Sequence, residues 1–257
     1  MAEDNRKQNA NGQSDPDQGS KKPASGVPFY EQYALLVILG HYGSGKTNLA
    51  LNLALKLKRI GRDPLLVDLD VVNPYFRTSD YLALTSAEGI RVTGSVFANS
   101  SLDAPSLAPG IDSKIMEASL AHPVILDIGG DPDGARALVR YSAAIEQVQN
   151  KLVLLVVNSR RPETMSLEGN LEMIAEIQAT SGLTLAGIIG NSHLAEFTTP
   201  EIIEASLPLL EELANRSAIP LVAVTTSCSV DASLQEQAGK RAYELLSIER
   251  LVKTGWQ

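Results

Sequence analysis

LLVILGHYGSGKTNLALNLALKL, residues 35–57, decides how this chain is read. Five consecutive aliphatic residues predict a buried strand, the glycine-rich run a tight turn, and the leucines and alanines beyond it recur at helical spacing. The turn fits the pattern GxxxxGK[ST] from Gly40 to Thr47. Glycines 40, 43 and 45 allow backbone angles closed to other residues, so the loop can wrap a phosphate with its N–H groups inward, above the positive end of a helix. Lys46 is then placed for the β- and γ-phosphates of a nucleotide and the Thr47 hydroxyl for Mg²⁺. The candidate nucleotide-binding residues are Gly40, His41, Tyr42, Gly43, Ser44, Gly45, Lys46, Thr47 and Asn48.

On either side of this motif, short aliphatic runs alternate with longer amphipathic segments, the pattern of a parallel sheet flanked by helices. Strands are predicted at 33–39, 64–69, 90–96, 123–128, 151–157, 184–189 and 219–225, and helices at 46–60, 111–121, 133–149, 164–180, 200–215 and 231–252. The expected fold is a three-layer α/β/α P-loop NTPase domain with a mostly parallel sheet of about seven strands, over residues 28–257. Residues 1–27 are polar or small, bury too little apolar area to offset ordering entropy, and are expected to form a disordered arm.

Two further strands end in acids. VDLD places Asp68 and Asp70 two residues apart, on one face of a strand, and a cation beside phosphates would offset their charge at an apolar strand end; capping of the following turn is the plainer reading. VILDIGGD ends at Asp127 and has the form of a Walker B strand running into a DxxG switch, with Asp127 holding Mg²⁺ through water and the Gly130 backbone sensing the γ-phosphate.

With these motifs in order, residues 33 to about 250 resemble the SIMIBI class of P-loop NTPases and, within it, the MinD/ParA family of ATPases. GHYGSGKT, VDLD, LDIGGD and GIIGNSH carry the likeness. It implies that Asp68 belongs to the magnesium shell, that Asp70 orients the attacking water as a catalytic residue with Lys46, and that Asn191 reads adenine. The NPYFR run at 73–77 and the VNSRRP run at 157–162 are similar to those of bacterial MinD-like ATP-binding proteins. There is one departure. MinD and ParA proteins carry a second lysine after the first loop glycine, which reaches a partner's phosphates in a nucleotide-sandwich dimer, and His41 stands there. Histidine is shorter and carries no fixed charge, which leaves Arg77, Arg160 and Arg161 as candidates for the missing cation. Guanine recognition would call for an NKxD-like run; NSHL at 191–194 has no acid, so ATP is expected over GTP.

Composition narrows the rest. A formal net charge of −8 gives no long-range attraction for nucleic acid, so sequence-specific DNA binding is not expected. A single cysteine, Cys228, excludes an intrachain disulfide or a CxxC metal site and suits the cytoplasm. No apolar run of about 18 residues predicts a membrane span. His122 and His193 are isolated, and KRAYELLSIERLVKTGWQ, from 240 on, predicts a packed terminal helix rather than a membrane anchor. The expected activity is a Mg²⁺-dependent ATPase switch toward a protein partner, with a nucleotide-dependent homodimer left open. The alternatives are an ATP-dependent biosynthetic enzyme resembling dethiobiotin synthetase or the cobyrinic acid amidating enzymes, and a non-hydrolysing ATP-binding module.

Overall fold

The computed structural model describes residues 26–70, 79–96, 106–107, 109–130, 132–194, 197–227 and 242–251. Nearly all of the polar arm, the NPYFR run with Arg77, and Cys228 lie outside the described residues.

The strand at the centre is β1 (Leu35–Leu39), whose five side chains are all at most 3% exposed. At about 1.5–3 kcal/mol for each fully buried aliphatic side chain, such a segment is stable only with both faces covered. It lies between β5 (Val124–Asp127) and β6 (Lys151–Val157), parallel to each. Outward on one side are β2 (Leu65–Asp68), β3 (Arg91–Val96) and the two-residue β4 (Ser106–Leu107); on the other are β7 (Gly187–Gly190), β8 (Leu221–Ser227) and β9 (Glu244–Ile248). The order is β4-β3-β2-β5-β1-β6-β7-β8-β9, parallel throughout except for the antiparallel pairing of β3 with β4.

Alternation along β1 separates two cores. Leu35, Val37 and Leu39 join one cluster, and Leu36 and Ile38 the other. The second cluster is closed by α1 (Lys46–Arg59), with Leu49, Leu53 and Leu57 at or near zero exposure, and by Phe29 and Tyr30 ahead of β1. The first is closed by α3 (Ile111–Met116), α4 (Pro132–Gln147), α5 (Leu167–Ser181) and α7 (Leu207–Ser217), which pack in the sequence α3–α4–α5–α7. Helices on both faces make the expected three layers. Among the described residues no helix is long and apolar enough to cross a membrane.

Several elements depart from the sequence reading. A helix not anticipated, α2 (Ser79–Ala87), precedes β3, and the helix expected over 200–215 is broken into α6 (Pro200–Glu204) and α7. The terminal helix expected over 231–252 is corrected where residues are described: Glu244–Ile248 is a strand, parallel to β8. Its side chains divide with a period of two, Tyr243 and Leu245 facing one core and Leu246 and Ile248 the other. Pairing with β8 buries both sets at once, which one helical stripe could not do.

Candidate functional site

The phosphate loop leaves the C-terminal end of β1 and runs into α1 through Gly45, which holds φ +88° at the N-cap. A side chain at Gly45 would also collide with the Asn191 amide nitrogen, so both conformation and space require glycine. No side chain caps α1, and no acid lies in its first turn. In α5, by contrast, the Ser166 hydroxyl accepts from Gly169 N–H at 3.1 Å. The first amides of α1 have no partners within the helix and present partial positive charge to an anion. Lys46 is 6% exposed, and its Nζ donates to the His41 carbonyl at 3.0 Å, inside the loop. Of the two arginine candidates among the described residues, Arg161 is the one at the loop: its Nε donates to the Gly43 carbonyl at 3.2 Å, whereas Arg160 reaches the Ile202 carbonyl.

The acids lie on the β2–β5 side of this loop. Asp68 and Asp127 are register partners on adjacent parallel strands. Asp127 is 2% exposed; its Oδ2 accepts from the Thr47 hydroxyl at 2.6 Å, and its Oδ1 has no hydrogen-bond partner among the described residues. Burial, above all, and then the nearby Asp68 push its pKa up to about 7, against the Thr47 hydrogen bond and the Lys46 charge. Asp68 Oδ1 accepts from Asp70 N–H at 3.0 Å, so it also caps the turn beyond β2, and the Asp70 carboxyl rests against Gly129. A buried carboxylate with one unsatisfied oxygen, a hydroxyl beside it and a second carboxyl opposite form a hard-oxygen donor set that fits Mg²⁺, phosphate and water completing the shell. Among the described residues no group of three or more His, Cys, Asp or Glu side chains forms a protein-only metal site.

Gly130 lies directly under the loop. A methyl group there would sit 2.5 Å from Tyr42 N and 2.7 Å from His41 C, both backbone atoms. Gly130→Ala is therefore expected to push the phosphate loop out of place and to destabilise the chain by about 1–3 kcal/mol, read as a lower melting temperature together with weakened nucleotide binding.

On the opposite side of the loop, toward β7–β9, a cavity of about 350 Å³ opens. Asn191, 1% exposed, closes its floor: its Nδ2 donates to the Ser44 carbonyl at 2.6 Å, and its Oδ1 accepts from the Thr225 hydroxyl at 2.5 Å. Asn158, fully buried, joins the loops after β6 and β7 by accepting from Arg160 N–H at 3.0 Å and donating to the His193 carbonyl. That gives the VNSRRP run a structural reason. The cavity reaches Lys46, Thr47 and Asp70 at one end and His193, Ser227 and Arg250 at the other.

The geometry thus joins a strand–loop–helix phosphate cradle to an acid pair on two neighbouring strands. Residues 36–199 of the 257, more than half the chain, match the CobQ/CobB/MinD/ParA nucleotide binding domain (CbiA) family. The chain belongs to that family. It is a SIMIBI-class P-loop NTPase, with the three-layer fold of that class. Among solved structures it is similar to cell division protein FtsY from Thermotoga maritima, at 16% identity and a TM-score of 0.50, over 81% of this chain and 65% of that one. It is also similar to chloroplast FtsY from Physcomitrella patens, at 19% identity, TM-score 0.49 and coverages of 80% and 60%. A third similar structure is the signal recognition particle 54 kDa protein from Aeropyrum pernix in complex with GDP, at 18% identity, TM-score 0.45 and coverages of 80% and 43%. The chain therefore spans less than two thirds of the length of each, and at these identities the likeness is one of fold. No curated protein sequence matches the chain.

As a CbiA-family domain, the chain brings Gly40 through Thr47, Asp68, Asp70, Asp127 and Gly130 together at one sheet edge, with Asn191 beneath the loop. Asn48 borders the cavity, but its amide is hydrogen-bonded to backbone near the C-terminus. The sequence reading passed over the cavity's far wall, Thr225–Ser227 and Ile248–Arg250, and treated His193 as isolated. Asn48 in the first turn of α1 and Asn52 in its interior, a poor helix former beside leucine and alanine, were the one available sign of that wall.

Proposed function

We propose that this chain is a cytoplasmic Mg-ATP-dependent ATPase whose nucleotide state sets its affinity for a protein partner. The observation that carries this reading is Asp127, buried, half-satisfied and bonded to Thr47 at the mouth of an uncapped helix. Thr47, Asp68 and Asp127 would hold Mg²⁺, directly or through water, and the ion supplies charge neutralisation at the phosphate oxygens. The chain's own residues do the rest. The loop amides grip the triphosphate, and Lys46 transfers its N–H bonds from the His41 carbonyl to the phosphates. Asp70 orients a water for attack on the γ-phosphorus as the bond to the bridging oxygen breaks. Gly130, packed against Tyr42, is placed to relay loss of the γ-phosphate to the segments beyond β5. The acid-free run Asn191–Leu194 supports adenine over guanine, with Asn191 on the base side.

The test is calorimetry of ATP and GTP with and without Mg²⁺, combined with single-turnover phosphate release. ATP should bind at least about tenfold more tightly than GTP, and Asp70→Ala should slow release by roughly 10²-fold or more with little change in affinity. Equal affinity for both nucleotides would remove the adenine assignment, and unchanged release in Asp70→Ala would remove the role given to that carboxylate. The family also includes CobQ and CobB by its description, so the second reading is a biosynthetic enzyme with a small-molecule acceptor, which would appear as turnover raised by an added metabolite.

A further inference from the structure

Asn48 and Asn52 lie one turn apart on α1 and are both spent on a segment some 200 residues away. The Glu249 carbonyl accepts from Asn48 Nδ2 at 3.0 Å and from Asn52 Nδ2 at 2.9 Å. Glu249 N–H donates to Asn52 Oδ1 at 2.8 Å, and Leu251 N–H to Asn48 Oδ1 at 2.8 Å. Asn52 is 4% exposed, so its own bonds to Glu249 are largely shielded from water, while the Asn48–Glu249 bond is exposed. Asparagine in a helix interior, the position of Asn52, is disfavoured against alanine or leucine by about 0.5 kcal/mol or more, and Asn48 lies one turn before it in the first turn. Two of them on one face, each satisfied by distant backbone, form a clamp that positions the chain beyond β9.

The clamp places Ile248, Glu249 and Arg250 along the cavity that begins at Lys46. The sheet order shows which end of a nucleotide they meet. The acids that fit the metal lie on β2 and β5, on one side of β1, whereas β7, β8 and β9 lie on the other. Phosphates held in the loop with the metal on the β5 side leave the nucleoside extending toward β7–β9. There the cavity is bounded by Asn191 and His193 on one side and by the clamped segment on the other. Arg161 and Arg250 line the same cavity as His193. The Glu249 carboxylate is 4.0 Å from Arg59, on α1. The groups lining this end thus include an imidazole, hydroxyls and guanidinium planes, chemistry that suits stacking and polar contact with a base and ribose.

We propose that Ile248–Arg250, fixed to the phosphate-loop helix by Asn52 and Asn48, is the nucleoside-binding wall of the site, with Arg250 its contacting side chain and Asn52 a positioning residue. This rests on the ATPase reading above and adds a specific consequence: the C-terminal strand senses the nucleoside, not the phosphates.

The experiment titrates Mg-ATP and, separately, magnesium with inorganic tripolyphosphate into the full chain, for the wild type, Asn52→Ala and Arg250→Ala, with melting curves to confirm folding. Arg250 is exposed, so its variant tests the wall even if Asn52→Ala folds poorly. ATP affinity should fall by about tenfold in each variant while tripolyphosphate affinity stays within about twofold, because only ATP carries the group that meets the wall. Unchanged ATP affinity in Arg250→Ala, or equal losses for both ligands, would overturn the proposal. A wild type that binds neither ligand would instead overturn the ATPase reading itself, so the two failures are distinct.

Discussion

Lys46→Ala is expected to abolish measurable ATP hydrolysis and to weaken Mg-nucleotide binding by at least about a hundredfold, near 3 kcal/mol. Lys46 is almost fully buried, and its ammonium donates to the His41 carbonyl. The ammonium is therefore preorganised beside the phosphate position, and little ordering remains to be done on binding. Its removal acts twice. The charge-assisted bonds to the phosphates disappear, and Asp127 loses one of the two influences that favour its ionised form, the other being the Thr47 hydroxyl. Lys46→Arg should not rescue, because a longer planar group does not fit a loop whose glycines already approach other backbone closely. Phosphate release and calorimetry on the two variants check this, with a circular dichroism spectrum to show that the sheet is retained. Hydrolysis at the wild-type rate in Lys46→Ala would remove the phosphate-loop mechanism.

How much of this was legible in the sequence depended on the range of the forces involved. The phosphate loop was legible because its parts are contiguous: a strand, a turn that needs glycine, and the first turn of a helix. The acids at 68, 70 and 127 were legible because a carboxylate at the end of an apolar strand is costly unless it is used. The base side was not. Asn191 was named there only by the family resemblance of GIIGNSH, and its bridge between Ser44 and Thr225 exists only once β1, β7 and β8 are brought together. The run Tyr243–Ile248 was read as a helix because a short apolar stretch satisfies either periodicity. The unpaired edge of β8, a tertiary fact, decides in favour of a strand. Likewise, Asn48 and Asn52 reveal a partner only when Glu249 is seen between them. Arg161 stood level with Arg77 and Arg160 in the sequence, and it was set apart from Arg160 by its contact with Gly43.

Asp127→Asn is expected to stabilise the nucleotide-free chain at pH 8 while eliminating its response to Mg-ATP. Asp127 has a folded pKa raised from 3.8 to about 7, so the folded state binds its proton more tightly than the unfolded state does. The contribution to stability is therefore fully present below about pH 4, declines as pH rises through 4 to 7, and becomes a constant penalty above that range. At roughly 1.4 kcal/mol per unit the penalty approaches 4 kcal/mol as an upper bound. The substitution preserves an oxygen to accept from Thr47 and puts an amide nitrogen where the carboxylate oxygen had no partner among the described residues, so the charge is removed with the Thr47 hydrogen bond retained. A gain of about 1–3 kcal/mol at pH 8 follows, several degrees in melting temperature for a chain of this length, smaller at pH 5 and vanishing only below about pH 4. With saturating Mg-ATP the order should invert. The wild-type carboxylate, now compensated, gains binding free energy as stability, whereas the amide holds the cation poorly. Thermal unfolding at pH 5 and pH 8, with and without Mg-ATP, measures all four quantities. A variant less stable than the wild type in the nucleotide-free state at pH 8 would mean that the buried charge is already compensated by the protein, leaving Asp127 no need of a cation.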